Sequence, residues 1–162
     1  LLEENSNNTI IKLTVNNKNN LKESKYMKFL FTLHSHNRWL LFTFMGLTLI
    51  MLLYSWLKKE ETLNKFTKIS KSILSALWGL QVLIGVTLWL VFGFSGFGWP
   101  MHRTEHFVTM IIAFFVFSFS SKWKQSEVPI YARNTLFLLI ASLALVAIAI
   151  TRLPQGWAIT KM

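Results

Sequence analysis

Four apolar stretches, each about long enough to cross a bilayer, leave this chain very few possible folds. They run Trp39–Leu57, Ser72–Trp99, Pro100–Ser121 and Asn134–Thr151, and only the third contains charged residues. A membrane-spanning helix needs about 20 mostly apolar residues. Inside lipid every backbone N–H and C=O must be satisfied within the protein, so such segments form helices. Pro100 suits the first turn of the third helix, and Arg152 and Pro154 stop the fourth. The helices are predicted at about 30–57, 72–96, 100–122 and 132–153. The connections Lys58–Lys71, Gly93–Trp99 and Lys122–Arg133 are short, so consecutive helices run antiparallel. The expected fold is all-α: an up-down-up-down bundle of four transmembrane helices over residues 27–162.

Charge sets the expected orientation. Lysine and arginine total 17 against 7 acidic residues, a net charge of +10. No basic stripe with interleaved aromatics exists outside the apolar segments, which argues against nucleic acid as a partner. The first connection instead carries Lys58, Lys59, Lys65, Lys68 and Lys71, and the third carries Lys122, Lys124 and Arg133. The second has only Arg103 near its end. Positively charged loops stay in the cytoplasm. That predicts a multi-pass protein of the bacterial inner membrane with both termini periplasmic. Lys12, Lys18, Lys22, Lys25 and Lys28 pull the other way. They lie in or beside residues 1–26, a polar, asparagine-rich stretch read as a disordered or non-native tail, because Met27 opens MKFLF as a translation start would. A weak strand is possible at Thr9–Val15, where β-branched residues gather.

Small residues suggest where helices approach one another: Ser75, Gly79 and Gly85 in the second, Ala141, Ala144, Ala147 and Ala149 in the fourth. Gln81, alone at mid-membrane depth, reads as an interhelical hydrogen bonder, or less simply as a cofactor or quinone contact.

The chemistry is concentrated in four histidines, paired at the starts of two parallel helices: His34 with His36, His102 with His106. Ionisable groups at the edge of a span are functional candidates. Residues two apart on a helix point in nearly opposite directions, so one of His34 and His36 faces the interior. His34 is the choice, because Arg38 lies one turn deeper on its side. The first and third helices of a square bundle are diagonal, about 14 Å apart. Two imidazoles can hold a b-type haem across such a gap, among apolar and aromatic side chains. Arg38, Arg103 and Arg152 gather at the same end and could pair with propionates. Glu105 could fix a histidine tautomer by accepting from its Nδ1–H. The alternatives are a copper or other transition-metal site built from His34, His36, His102 and His106, and simple anchoring of helix ends at the headgroups. The chain has no cysteine, which excludes iron–sulfur clusters, thiolate sites and c-type haem attachment. It also has no HExxH motif, nucleophile elbow, phosphate-binding glycine loop or intramembrane carboxylate pair.

Two motifs, Leu33-His34-Ser35-His36-Asn37-Arg38-Trp39 and Thr104-Glu105-His106 followed by an apolar run with Met110, resemble a family of small four-helix membrane proteins of Bacteroidetes-type bacteria, commonly labelled "cytochrome B". The Leu80-Gln81…Gly85 stretch is similar to theirs as well. The resemblance covers Met27 to about Gln155 and points to His34, Arg38, Glu105 and His106. It leaves out His36 and His102. Some relatives carry a histidine near the position of Gly79, so it implies one haem here rather than two.

Three functions therefore compete. The first is a haem b electron carrier exchanging electrons with a redox partner or quinone. The second is a cofactor-free accessory or assembly subunit of a membrane complex. The third is a histidine-based copper or other transition-metal protein. Each describes a carrier or subunit more readily than a stand-alone enzyme, and each has the lipid bilayer as its surroundings.

Overall fold

The computed structural model describes residues 2–154, with side chains described for 25–96 and 98–154. It is an all-α bundle: α1 (Leu2–Leu57), α2 (Lys65–Phe92) continued by a π-helical turn (Gly93–Phe97), α3 (Met101–Ser118) continued by a 3-10 turn (Phe119–Trp123), and α4 (Val128–Thr151). Among the described residues four helices are long and apolar enough to cross a membrane, at Lys25–Leu57, Lys65–Gly96, Met101–Trp123 and Val128–Thr151. The chain is therefore described as a multi-pass membrane protein. Residues 2–24, set apart by composition as a polar tail, continue α1 as helical backbone. Thr9–Val15 belongs to that helix, not to a strand. A helix already nucleated extends with one hydrogen bond per residue fixed.

Two helices start earlier than the charge-free runs suggest. Helix α2 begins at Lys65, where the Asn64 side chain accepts from the Phe66 N–H at 3.1 Å. Helix α4 begins at Val128 with Pro129 in its first turn. Lys65, Lys68, Lys71 and Arg133 are thus helical residues. Long basic side chains tolerate a helix end because their stems lie along apolar surface while the charge reaches out. Lys71 does this across the bundle, donating to the Tyr131 hydroxyl with its ammonium 4.7 Å from that ring's centre.

Helix α1 packs on α2 and α4, and α3 packs on the same two, so α1 and α3 are diagonal. In α1 the buried residues are Asn37, Leu41, Met45, Thr48, Leu52 and Ser55, spaced three and four apart along one stripe. Trp78 of α2 is fully buried and fills the centre, near-parallel to Phe117 at 6.4 Å and tilted against Phe114 at 6.2 Å. Hydrogen bonds tie the helices at two further levels. Thr48 and Ser70 share one of 2.7 Å between α1 and α2, and Ser142 donates to the Ala113 carbonyl at 2.9 Å between α4 and α3. In lipid, packing and such bonds replace the hydrophobic effect as the cause of helix association, each bond contributing about 0.6–2 kcal/mol.

The small-residue stripes do not lie where expected. Ser75, Gly79, Ala141 and Ala144 are exposed, and a Cβ on Gly79 would meet nothing within 4 Å. Of Ala141, Ala144, Ala147 and Ala149 only the last is buried. The inward stripe of α2 is Leu74, Trp78, Gln81, Ile84 and Leu88; that of α4 includes Leu139, Ser142, Val146 and Ala149. Large side chains lead the inward stripe of α2, while its Ser75 and Gly79 face outward. Gly85, by contrast, faces His34.

Candidate functional site

At the end of the bundle that carries the α2–α3 connection, the inward stripes turn polar. One turn beyond Asn37 on α1 is His34. One turn beyond Met110 on α3 is His106. Between them lies a cavity of about 140 Å³ whose walls include both histidines, Gln81, Trp89, Trp99 and Arg103. His34 and His106 therefore meet at one cavity from diagonal helices. Together with Arg38 they are close enough to act on one another electrostatically.

The aromatic wall depends on a sharp change of backbone direction. Gly96 and Gly98 have φ of +84° and +67°, a region costly for residues with a Cβ. They bring Trp99 back onto the end of α2, where its ring lies against Gly93. A Cβ on Gly93 would stand 2.2 Å from two ring carbons. Trp99 packs on Trp89 at 4.1 Å between centres, and Trp89 stacks on Phe107 at 4.6 Å with planes 7° apart. Arg103 places its guanidinium 4.6 Å from the centre of the Phe92 ring. The α2–α3 contact in this layer is therefore interleaved: Arg103 on Phe92, and one turn deeper, Phe107 on Trp89.

Hydrogen-bond directions fix which atoms of the histidines are committed. His106 Nδ1 lies 2.9 Å from the Ala149 carbonyl. A carbonyl only accepts, so Nδ1 carries the proton and Nε2 keeps its lone pair. For His34 the chain of inference is longer. The Leu77 carbonyl accepts from Asn37 Nδ2 at 3.2 Å, and the same amide donates to Gln81 Oε1 at 2.7 Å. Gln81 Nε2 is therefore the donor that faces His34, 3.1 Å from its Nε2 and 3.3 Å from its carbonyl. The ring proton of His34 is then on Nδ1, which is buried without a partner. The amide of Gln81 is the interhelical hydrogen bonder its position suggests.

The other candidates are placed as follows. His36 is exposed and its Nδ1 bonds the Thr32 carbonyl of its own helix at 2.8 Å. His102 does not line the cavity. Among the described residues no group of three or more His, Asp or Glu side chains could hold a metal ion, so the four histidines do not converge on a shared copper centre. Glu105 does not fix a histidine tautomer. The Ala149 carbonyl takes that role for His106, because residue 105 points about 100° around the helix from residue 106. Of the three arginines, only Arg103 lines the cavity. Arg38 lies beside it, 5.5 Å from the Trp39 ring centre, with its Nε buried and unpartnered. Arg152 is exposed, and its backbone N–H closes α4.

Asn37, Trp89, Trp99 and Phe107 were not singled out from the sequence. Asn37 was legible, falling on the stripe that joins His34 to Leu41. Trp89 lies two turns from Gln81 on the same face. Trp99 carries no such signal, since a folded connection delivers it. No protein-family model, curated protein or solved structure matches the chain. The chemistry of this cavity is the basis for assigning a function.

Proposed function

We propose that the chain is a b-type cytochrome-like membrane protein, holding one haem b between His34 and His106 and exchanging electrons with a protein partner or a membrane quinone. The observation that carries this reading is the meeting of these two histidines, from diagonal helices, at one aromatic-walled cavity. The residues suit the group in kind. His106 is prepared as a ligand: Ala149 holds the proton on Nδ1 and leaves Nε2 uncommitted. His34 ligates once Gln81 releases its Nε2, or once the ring proton moves and Nδ1 is used. Trp89, Trp99 and Phe107 give the cavity an aromatic wall, and Arg103 supplies positive charge in it. Bound haem supplies a one-electron couple whose potential these surroundings set. The charge bias of the connections supports a site near the outer face of the inner membrane.

One observation favours a second reading. Asn37 and Gln81 orient the His34 proton onto Nδ1, so a residue lining the cavity keeps an unused donor, which suits a quinone carbonyl as well as it delays ligation.

Haem content of the purified protein, measured as pyridine haemochrome, tests the proposal. The wild type should carry about one haem per chain. His34→Ala and His106→Ala should each abolish retention, while His36→Ala and His102→Ala should keep most of it. Protein from haem-replete cells with no haem, or equal losses in all four variants, would overturn it. Quinone in an organic extract of haem-free protein would establish the second reading instead.

A further inference from the structure

The two histidines at the cavity are not offered on equal terms. His106 has its Nδ1 held by the Ala149 carbonyl, and its Nε2 makes no hydrogen bond among the described residues. That nitrogen is not buried either, unlike His34 Nδ1. The other nitrogen of His34, Nε2, is taken by the Gln81 amide at 3.1 Å. Of the four ring nitrogens, His106 Nε2 alone is both uncommitted and accessible.

The network behind Gln81 opposes the release of His34 along both routes. If Nε2 is to ligate, the Gln81 amide keeps only the His34 carbonyl, at 3.3 Å, and one N–H loses its acceptor. If Nδ1 is to ligate, the ring proton moves to Nε2, where it meets that same N–H donor. Turning the Gln81 amide over would set its NH2 against the Asn37 NH2, which now donates to Gln81 Oε1 at 2.7 Å. Turning Asn37 over as well would set its side-chain oxygen against the Leu77 carbonyl, which now accepts from Nδ2 at 3.2 Å. Asn37 and Gln81 are both buried, so bulk water does not replace a lost partner. Buried donors without acceptors are rare because they are costly.

We propose that Gln81, oriented by Asn37, competes with iron for His34, which makes His34 the displaceable ligand and His106 the fixed one. This rests on the haem reading. Gln81 is a positioning residue, acting on the haem only through His34. A small neutral ligand of reduced haem can then take the place of His34, whose alternative partner already stands in position. The exchange moves no electron. The bond from His34 Nε2 to iron breaks as the bond to the incoming ligand forms, and the freed lone pair accepts from Gln81. Two imidazoles held equally firmly would offer no such place.

The test uses the purified haem-loaded protein in detergent, reduced with dithionite, mixed with carbon monoxide and followed by Soret absorbance. The wild type should bind carbon monoxide at a rate that levels off at high concentration, because His34 must leave first. Gln81→Leu removes the competitor and should lower carbon monoxide affinity about tenfold, as the loss of one interior hydrogen bond implies. Asn37→Leu, which frees the Gln81 amide to turn, should shift it in the same direction. Before carbon monoxide is added, the reduced spectrum of each variant should keep the form of two-imidazole ligation. A purely structural Gln81 would lower stability and leave carbon monoxide affinity unchanged. No binding by the wild type, a rate that rises without levelling, or unchanged affinity in both variants overturns the competition and leaves the haem reading standing. Wild-type protein without haem overturns both.

Discussion

Replacing Gly93 with alanine sets a tertiary contact against a local preference, and the structure indicates which wins. The new Cβ would stand 2.2, 2.2 and 2.4 Å from three carbons of the Trp99 indole, where real Cβ contacts stay above 3.0 Å. The ring must retreat by roughly 1 Å, and it is not free to do so. It packs on Trp89 at 4.1 Å and on Phe94 at 5.6 Å, and Trp89 is in turn stacked on Phe107. Overpacking of this kind costs about 1–3 kcal/mol, and each disturbed aromatic pair adds about 0.5–1.5 kcal/mol. Alanine regains at most about 1 kcal/mol of helix propensity at a helical position. The net expectation is a loss of about 1–3 kcal/mol, or roughly 2–12 °C in the unfolding midpoint at about 2–4 °C per kcal/mol for a chain of this size. Unfolding in detergent, followed by tryptophan fluorescence, measures the shift. Near-ultraviolet circular dichroism reports the Trp89–Trp99 pair directly. Gly79→Ala is the control, because its Cβ meets nothing within 4 Å and only the propensity gain remains. A Gly93→Ala protein that unfolds no earlier than Gly79→Ala, with an unchanged near-ultraviolet spectrum, would refute the packing argument.

Gln81→Leu should destabilise the bundle by about 1–3 kcal/mol, because it strands the His34 ring nitrogen in the interior and removes one of the two acceptors of the Asn37 amide. A chemical-denaturant midpoint equal to wild type would show that this network contributes nothing. For orientation, single cysteines at Lys65 and Gln125 should resist an impermeant thiol reagent in intact cells, while one at Ser95 should react. The opposite pattern would put the cavity at the cytoplasmic side.

What the sequence determined by itself was set by local length and period. Long apolar runs gave the number of spans, since within lipid a helix lets a single segment satisfy its own backbone. The two-residue spacing of His34 and His36, with Arg38 one turn from His34, selected His34 for the interior, and isolation at mid-membrane depth marked Gln81 as an interhelical hydrogen bonder. Helix starts were less legible. Lysines at the head of α2 look like loop residues, yet Lys65 and Lys68 are exposed helical residues and Lys71 reaches Tyr131 of α4. The small-residue stripes misled because residue size does not say which way a helix is turned. That rotation is decided by the large side chains opposite, Trp78 above all. The tertiary structure alone decided that the Ala149 carbonyl, not Glu105, holds the His106 proton, and that Trp99 folds back onto Gly93. It also decided that Trp89 and Arg103 line the same cavity as the histidines. Each depends on which backbone carbonyl or ring a neighbouring helix presents at a given depth, and no spacing within one helix encodes that.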